Sequence, residues 1–232
     1  ILESNNKMYF SKGQIFDNEA FEIAILGLQI SDNTFHLNNS HIYGNKAKLR
    51  DCLFNVEADS VVIFSTVSFD YIKPALGSLL FATESVKVYF LNSRIYSATD
   101  VYSLFTLFTI VDIFISNCSF FKIGTNLVEL LEFGVIQVVN TKFYNYDCSG
   151  QKCGIFYLGD KSDIFLLNCS FENITGNAGT IILADSDILI SVKNSVFRRI
   201  VTISPGALFR LSDKNFFISI NSTFQRLESL DC

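Results

Sequence analysis

The residues best suited to chemistry in this chain are five carboxylates, two arginines, a cysteine pair and two histidines. Glu84, Glu132, Asp160, Asp185 and Asp213 fall at comparable places near turns that follow apolar runs. A regular coil would stack some of them about 5 Å apart on neighbouring turns. Like charges that close repel modestly in water, and Ca²⁺ held between them would relieve the repulsion. The alternative is a set of separately solvated turn residues. Arg198-Arg199 suit pairing with such acids, binding an anionic sugar, or a solvated corner. Cys148 and Cys153 share one loop with Gly150 between them, a spacing that suits a local disulfide. A metal centre there would want two further ligands, and the adjacent sequence offers none. His36 and His41 lie in the polar stretch 36–52 with Lys46, Lys48 and Arg50. That stretch reads as a binding loop or as a solvated cover on one flank.

The elements that would position these residues come from a repeat. In Ile113–Phe120, IFISNCSF, apolar residues alternate, Asn follows, and Phe closes the pattern. Anchoring on the closing residue gives Phe35, Phe69, Ile95, Phe120, Phe143, Phe171, Phe197 and Phe224. The last six intervals are 26, 25, 23, 28, 26 and 27 residues; the first is 34, so residues 36–52 read as an insertion loop. Self-similarity at this period marks a solenoid, and apolar spacing of two marks strands. Three residues before the anchors stand Asn92, Asn117, Asn140, Asn168, Asn194 and Asn221. Asn tolerates a left-handed backbone, and its amide can bond the Asn above and below. The column is expected to be an inward Asn ladder at a bend, beside stacked Phe. Each rung reads as strand, turn, strand, Asn corner, short strand and loop. This predicts an all-β, right-handed parallel β-helix of about eight to nine rungs, roughly 40 Å long at ~4.8 Å per rung.

On these repeats the chain resembles the pectin-lyase-like right-handed parallel β-helix superfamily. More loosely it resembles the repeat-rich surface proteins of the polymorphic outer membrane protein type and similar extracellular proteins of ciliates. Phe35-His-Leu-Asn38 matches their Phe-x-x-Asn repeat; Asn177-Ala-Gly-Thr-Ile181 and Ser204-Pro-Gly-Ala-Leu208 approach their Gly-Gly-Ala-Ile repeat. The resemblance implies two outcomes, a surface-exposed structural module or a polysaccharide-binding or polysaccharide-cleaving protein.

An unbroken repeat over 232 residues argues for one domain, 1–232, with 1–20 as a partial rung or cap and 144–154 as a long loop. A chain starting at Ile1 reads as an excised part of a longer protein. The composition, 49% hydrophobic with 24 Phe, supplies a large core. A net charge of −5 without a Lys/Arg run argues against nucleic acid as a partner. The apolar stretch 101–115 is interrupted by Asp112 and falls short of the roughly 20 residues of a membrane span. Cys118 and Cys169 occupy one repeat position two rungs apart, roughly 10 Å, too far to bridge. They read as buried thiols, while Cys52 and Cys232 stay unassigned. Of five Asn-x-Ser/Thr sites, Asn117, Asn168 and Asn221 belong to the expected inward ladder. That leaves Asn38 and Asn173 as glycan acceptors and points to an extracellular or cell-surface setting.

No acidic residue appears in the two expected outward columns of the middle strand. They instead carry Ile63, Tyr89, Leu91, Phe114, Val139, Phe165, Leu167, Ile218 and Ile220. An apolar outer face of this size marks an interface, covered by the 36–52 insertion or by a partner. The function expected is a non-catalytic structural or adhesive module, with other chains, copies of itself or a glycan as partners and no resident cofactor.

Overall fold

The computed structural model describes residues 6–17, 19–20, 26–28, 32–47, 52–72, 78–98, 103–147, 154–177, 179–203 and 208–229. Among them every regular element is a strand and every pairing is parallel, with each strand bonded to its counterpart one repeat away. A 14-stranded and a nine-stranded sheet run along the coil. The chain is a parallel β-solenoid, as the repeat predicts.

Three columns of left-handed residues bend each rung. The first holds Asp59, Ser85, Ile110, Phe133, Lys161, Asp187 and Lys214, with φ between 44° and 58°. The second holds Thr66 and the six Asn from Asn92 to Asn221, and the third runs from Tyr71 through Lys122, Asn145 and Asn173 to Arg226. Three bends give a rung three faces. In one rung the first face is Ser103–Thr109, the second Val111–Ser116 and the third Ser119–Phe121. The strand Ser103–Ser116 runs through the first bend without a break. Only the second column is rich in Asn, the L-residue that enters this region most readily; the third carries Asn145 and Asn173 among Tyr, Ser, Lys and Arg. The first column admits Ile110 and Phe133 because the paired strands on both sides over-determine the bend.

The interior is a set of apolar columns. Phe120, Phe143, Phe171, Phe197 and Phe224 stack nearly parallel, with centroids 5.2, 4.6, 4.8 and 4.8 Å apart. Where Ile95 interrupts the stack, Phe90 lies 5.8 Å from both Phe69 and Phe120. Rings from the first face meet the stack edge-on, as Phe156 meets Phe143 at 5.8 Å and 78°. Offset and edge-to-face rings add attraction beyond area burial, and truncating such a ring costs about 3–5 kcal/mol.

Two expectations about the start of the coil are corrected. Phe35 is not an anchor: it pairs with Val62, and Ile42 pairs with Phe69. With Ile42 as anchor the long first interval disappears. Residues 36–47 are accordingly not an insertion loop, and 48–51 lie outside the described residues. Thr34–Asn38 and His41–Tyr43 are strands of a regular rung, and both histidines sit on it. Hydrophobic alternation of period two fits either assignment of Phe35, which is why the sequence pattern alone misplaced it.

Candidate functional site

The Asn column forms a ladder that faces solvent, which corrects the expected inward placement. Asn92, Asn117, Asn140, Asn168, Asn194 and Asn221 are all exposed. Asn117 donates to Asn92 at 3.2 Å, Asn140 to Asn117 at 3.2 Å and Asn168 to Asn140 at 3.1 Å. The left-handed backbone turns the next residue inward, and that residue makes the inner ladder. Ser40, Ser93, Cys118, Thr141, Cys169 and Ser195 are buried. Each hydroxyl donates to the carbonyl two residues back, as Ser195 does to Lys193 at 2.9 Å, and accepts an N–H from the preceding rung, as from Cys169 at 3.1 Å. A small side chain with both roles satisfies backbone groups that the corner would strand.

The thiols in this column are inert. Burial pushes the Cys118 thiol up to about 12 and the Cys169 thiol up to about 11. Both are free thiols, and Cys52 is buried as well. Cys148, Cys153 and Cys232 lie outside the described residues.

The outer position of the ladder reopens three glycan-acceptor sites. Asn117, Asn168 and Asn221, expected inside, are exposed like Asn173, while Asn38 is half-buried. Asn173 donates to Asn145 on the neighbouring rung at 3.1 Å.

The carboxylates do not form one column. Glu132 pairs with Asp160 on the next rung, but Thr109 occupies the place before Glu132. Asp160 accepts from the Ser186 side chain at 2.7 Å and its N–H at 3.2 Å, and these bonds hold its carboxyl below the usual range. Among the described residues no group of three His, Cys, Asp or Glu side chains is arranged to hold a metal. Arg199 contacts Glu172 on the third face, away from those acids.

On the second face, Ile63, Tyr89, Leu91, Phe114, Val139, Phe165 and Ile218 are half-buried, and Leu167 and Ile220 are 37% and 45% exposed. Their backbone neighbours Val62, Val88, Phe90, Ile113 and Ile164 are buried. Tyr89, Phe114 and Gln137 border a shallow open groove with Lys87 and Asp112.

A second outward column went unread in the sequence. One residue past the anchors, Tyr96, Phe121 and Tyr144 stack along the third face with centroids 4.8 Å apart at each step. Lys122 lies over the Tyr96 and Phe121 rings at 5.7 and 5.4 Å. These rings, with Asp70, Tyr71 and Arg94, line a second groove. The aromatic run at anchor-plus-one was visible in the repeat once each anchor was aligned. Beside it His41 Nε2 meets Asp70 Oδ2 at 2.7 Å, and Ser68 donates to the same oxygen at 3.2 Å. Ser68 also accepts from Arg94 Nε at 2.9 Å. Ser68 and His41 thus share a carboxylate rather than bonding each other, so this trio contains no serine–base pair.

The fold and these faces define the class, a parallel β-solenoid with two differently coloured outer surfaces. The solved structure of QnrB1, a plasmid-mediated fluoroquinolone resistance protein, is similar over 84% of this chain and 83% of its own, at 9% identity and a TM-score of 0.29. A likeness that distant bears on neither ligand nor partner. No family model and no curated protein matches the chain. Among the described residues no helix is long and apolar enough to cross a membrane.

Proposed function

We propose that the protein is a non-catalytic structural or adhesive module of an extracellular or cell-surface assembly, built on a right-handed β-helix of the pectin-lyase-like kind. The coil contributes a rigid rod, and its outer faces make the contacts. The observation that carries this reading is the apolar column on the second face. Of residues 36–52, the part of the chain expected to cover it, the described residues 36–47 belong to a rung. Leu167 and Ile220 remain 37% and 45% exposed. Contiguous apolar surface of that kind usually serves association.

The test is the solution mass of residues 1–232 by light scattering across a concentration range. Growth of mass with concentration, lost in the double variant Phe114→Asp with Phe165→Asp, is the expected result. Both residues are half-buried at the surface and their backbones are paired on both sides, so the variant retains its rungs. A monomer at every concentration refutes the reading.

A further inference from the structure

The third face is richer in cations and the first corner in carboxylates, with Asp70 in the third-face groove and Lys161 and Lys214 at the corner, Lys161 Nζ lying 5.1 Å from the Phe133 ring; each surface is also partly apolar. On the third face, Arg94, Lys122 and Lys142 are exposed around the Tyr96, Phe121 and Tyr144 stack. None of the three has a carboxylate partner among the described residues. Tyr96 and Phe121 stack at 27° under the Lys122 ammonium, and Tyr144 is tilted at 48° to Phe121. Cations and tyrosine hydroxyls together make a surface that favours an acidic partner. The first corner is the converse. Glu84, Glu132 and Asp160 are exposed there. Beside them Phe108, Ile110 and Phe133 are 36%, 62% and 44% exposed. Ile110 and Phe133 hold left-handed backbone, φ 54° and 44°, at the very bend that projects them outward.

From this complementarity we propose that the third face of one copy receives the first corner of a second copy, so that rods associate side by side. This rests on the assembly reading above and names its partner. Arg94 and Lys142 stand two rungs apart with Ser119 between them, and Glu84 and Glu132 stand two rungs apart with Thr109 between them, at about 4.8 Å per rung. Carboxylates on one rod therefore meet cations on the other in register, while Ile110 and Phe133 lie against the aromatic groove. The contact is heterologous: a copy offers its corner to one neighbour and its third face to another. The apolar second face adjoins the first corner and extends the same contact.

The experiment is charge exchange, read by light scattering. One variant carries Arg94→Glu and Lys142→Glu, the other Glu132→Lys and Asp160→Lys. All four side chains are exposed, so both variants fold. Each alone is expected to stay monomeric at a concentration where the parent is half associated. An equimolar mixture is expected to recover association, because corner and face are complementary between the two variants in both directions. Parent association is also expected to weaken as salt shortens the screening length. The inference is overturned if both variants keep the parent's mass, or if the mixture stays monomeric. Should Phe114→Asp with Phe165→Asp abolish association while the charge variants do not, the assembly reading stands and this contact falls. A parent that never associates removes both. A monomer binding a sulfated oligosaccharide through Arg94 and Lys142 would assign the face to a glycan and overturn the contact.

Discussion

Adjacent residues at one corner separate the two possible ladders by sign. Asn194 is exposed, with φ 50°, and its side chain makes no hydrogen bond to a described residue; Ser195 is fully buried. Replacing Ser195 by Ala removes two bonds, the donation to Lys193 O at 2.9 Å and the acceptance from Cys169 N at 3.1 Å. Lys193 O keeps the Asn168 N–H at 3.0 Å, so its carbonyl stays partnered. The Cys169 N–H is left buried and orphaned, which costs about 1–3 kcal/mol. Replacing Asn194 by Gly leaves nothing buried unsatisfied. Glycine adopts φ near +50° without strain, and its extra freedom in the unfolded chain costs about 0.5–1 kcal/mol. Ser195→Ala is therefore expected to destabilise by about 2 kcal/mol and Asn194→Gly by less than about 1 kcal/mol. Urea unfolding with an unchanged m-value gives the comparison, and hydrogen exchange at the Cys169 amide gives the local reading, faster in Ser195→Ala alone. An inward Asn ladder predicts the reverse order. If Asn194→Gly costs about 2 kcal/mol while Ser195→Ala is neutral, the assignment of inside and outside at this corner is wrong.

Three further outcomes follow from single groups. Tyr146 is 1% exposed, its hydroxyl has no partner among the described residues, and burial holds its ionisation well above the usual range; Tyr146→Phe is expected to raise stability by about 1–3 kcal/mol, seen as a higher urea midpoint. Ile110 occupies φ 54°, where a β-branched residue is strained by about 1–3 kcal/mol, so Ile110→Asn is expected to stabilise, and a lower melting temperature would contradict the strain. The Cys118 and Cys169 thiols are raised from an ordinary 9.0 to about 12 and about 11. Their protonated form is the one the fold favours. The stability they contribute is complete below pH 9 and lost as pH rises toward 11–12. One pH unit above the ordinary value that loss is about 1.4 kcal/mol per thiol. The double variant Cys118→Ser with Cys169→Ser is expected to lose less stability between pH 8 and 10 than the parent, and equal slopes would count against buried thiols.

The fold was legible because its signals are periodic. Alternation at two, one anchor per rung and a run of Asn at one place together require stacked parallel strands with a left-handed corner. What alternation cannot say is which side of a left-handed residue is the inside. A residue with positive φ breaks the in–out sequence of the strand it ends, so counting by twos from Ile115 across Asn117 assigns the Asn to the wrong side. The true inner column, Ser93, Cys118, Thr141, Cys169 and Ser195, varies between hydroxyl and thiol and hides beside a uniform Asn column. The first corner hid for the opposite reason. Its residues include Asp, Ser, Ile, Phe and Lys, with no shared chemistry, because paired strands impose the bend from outside. Phe35 was misplaced because a Phe fits any inward column, and only pairing with Val62 separates one from another.

The same physics explains where function can reside in such a chain. Inward columns are held to Phe, Ile, Leu, Val and small hydroxyls by packing and backbone satisfaction, which leaves them no freedom to vary with a partner. Outward columns carry no such constraint, and a side chain repeated along them is there for its own contacts. On the second and third faces the repeated choices are apolar and aromatic, where solvation alone would admit polar residues. Ile110 and Phe133 go further, since Asn or Gly at those bends would relieve backbone strain and remove exposed apolar surface at once. A position that is unfavourable both for backbone and for solvation in the isolated rod is best accounted for by a contact that covers it. That argument favours the first corner as the element that the proposed contact would seat against a second copy's third face.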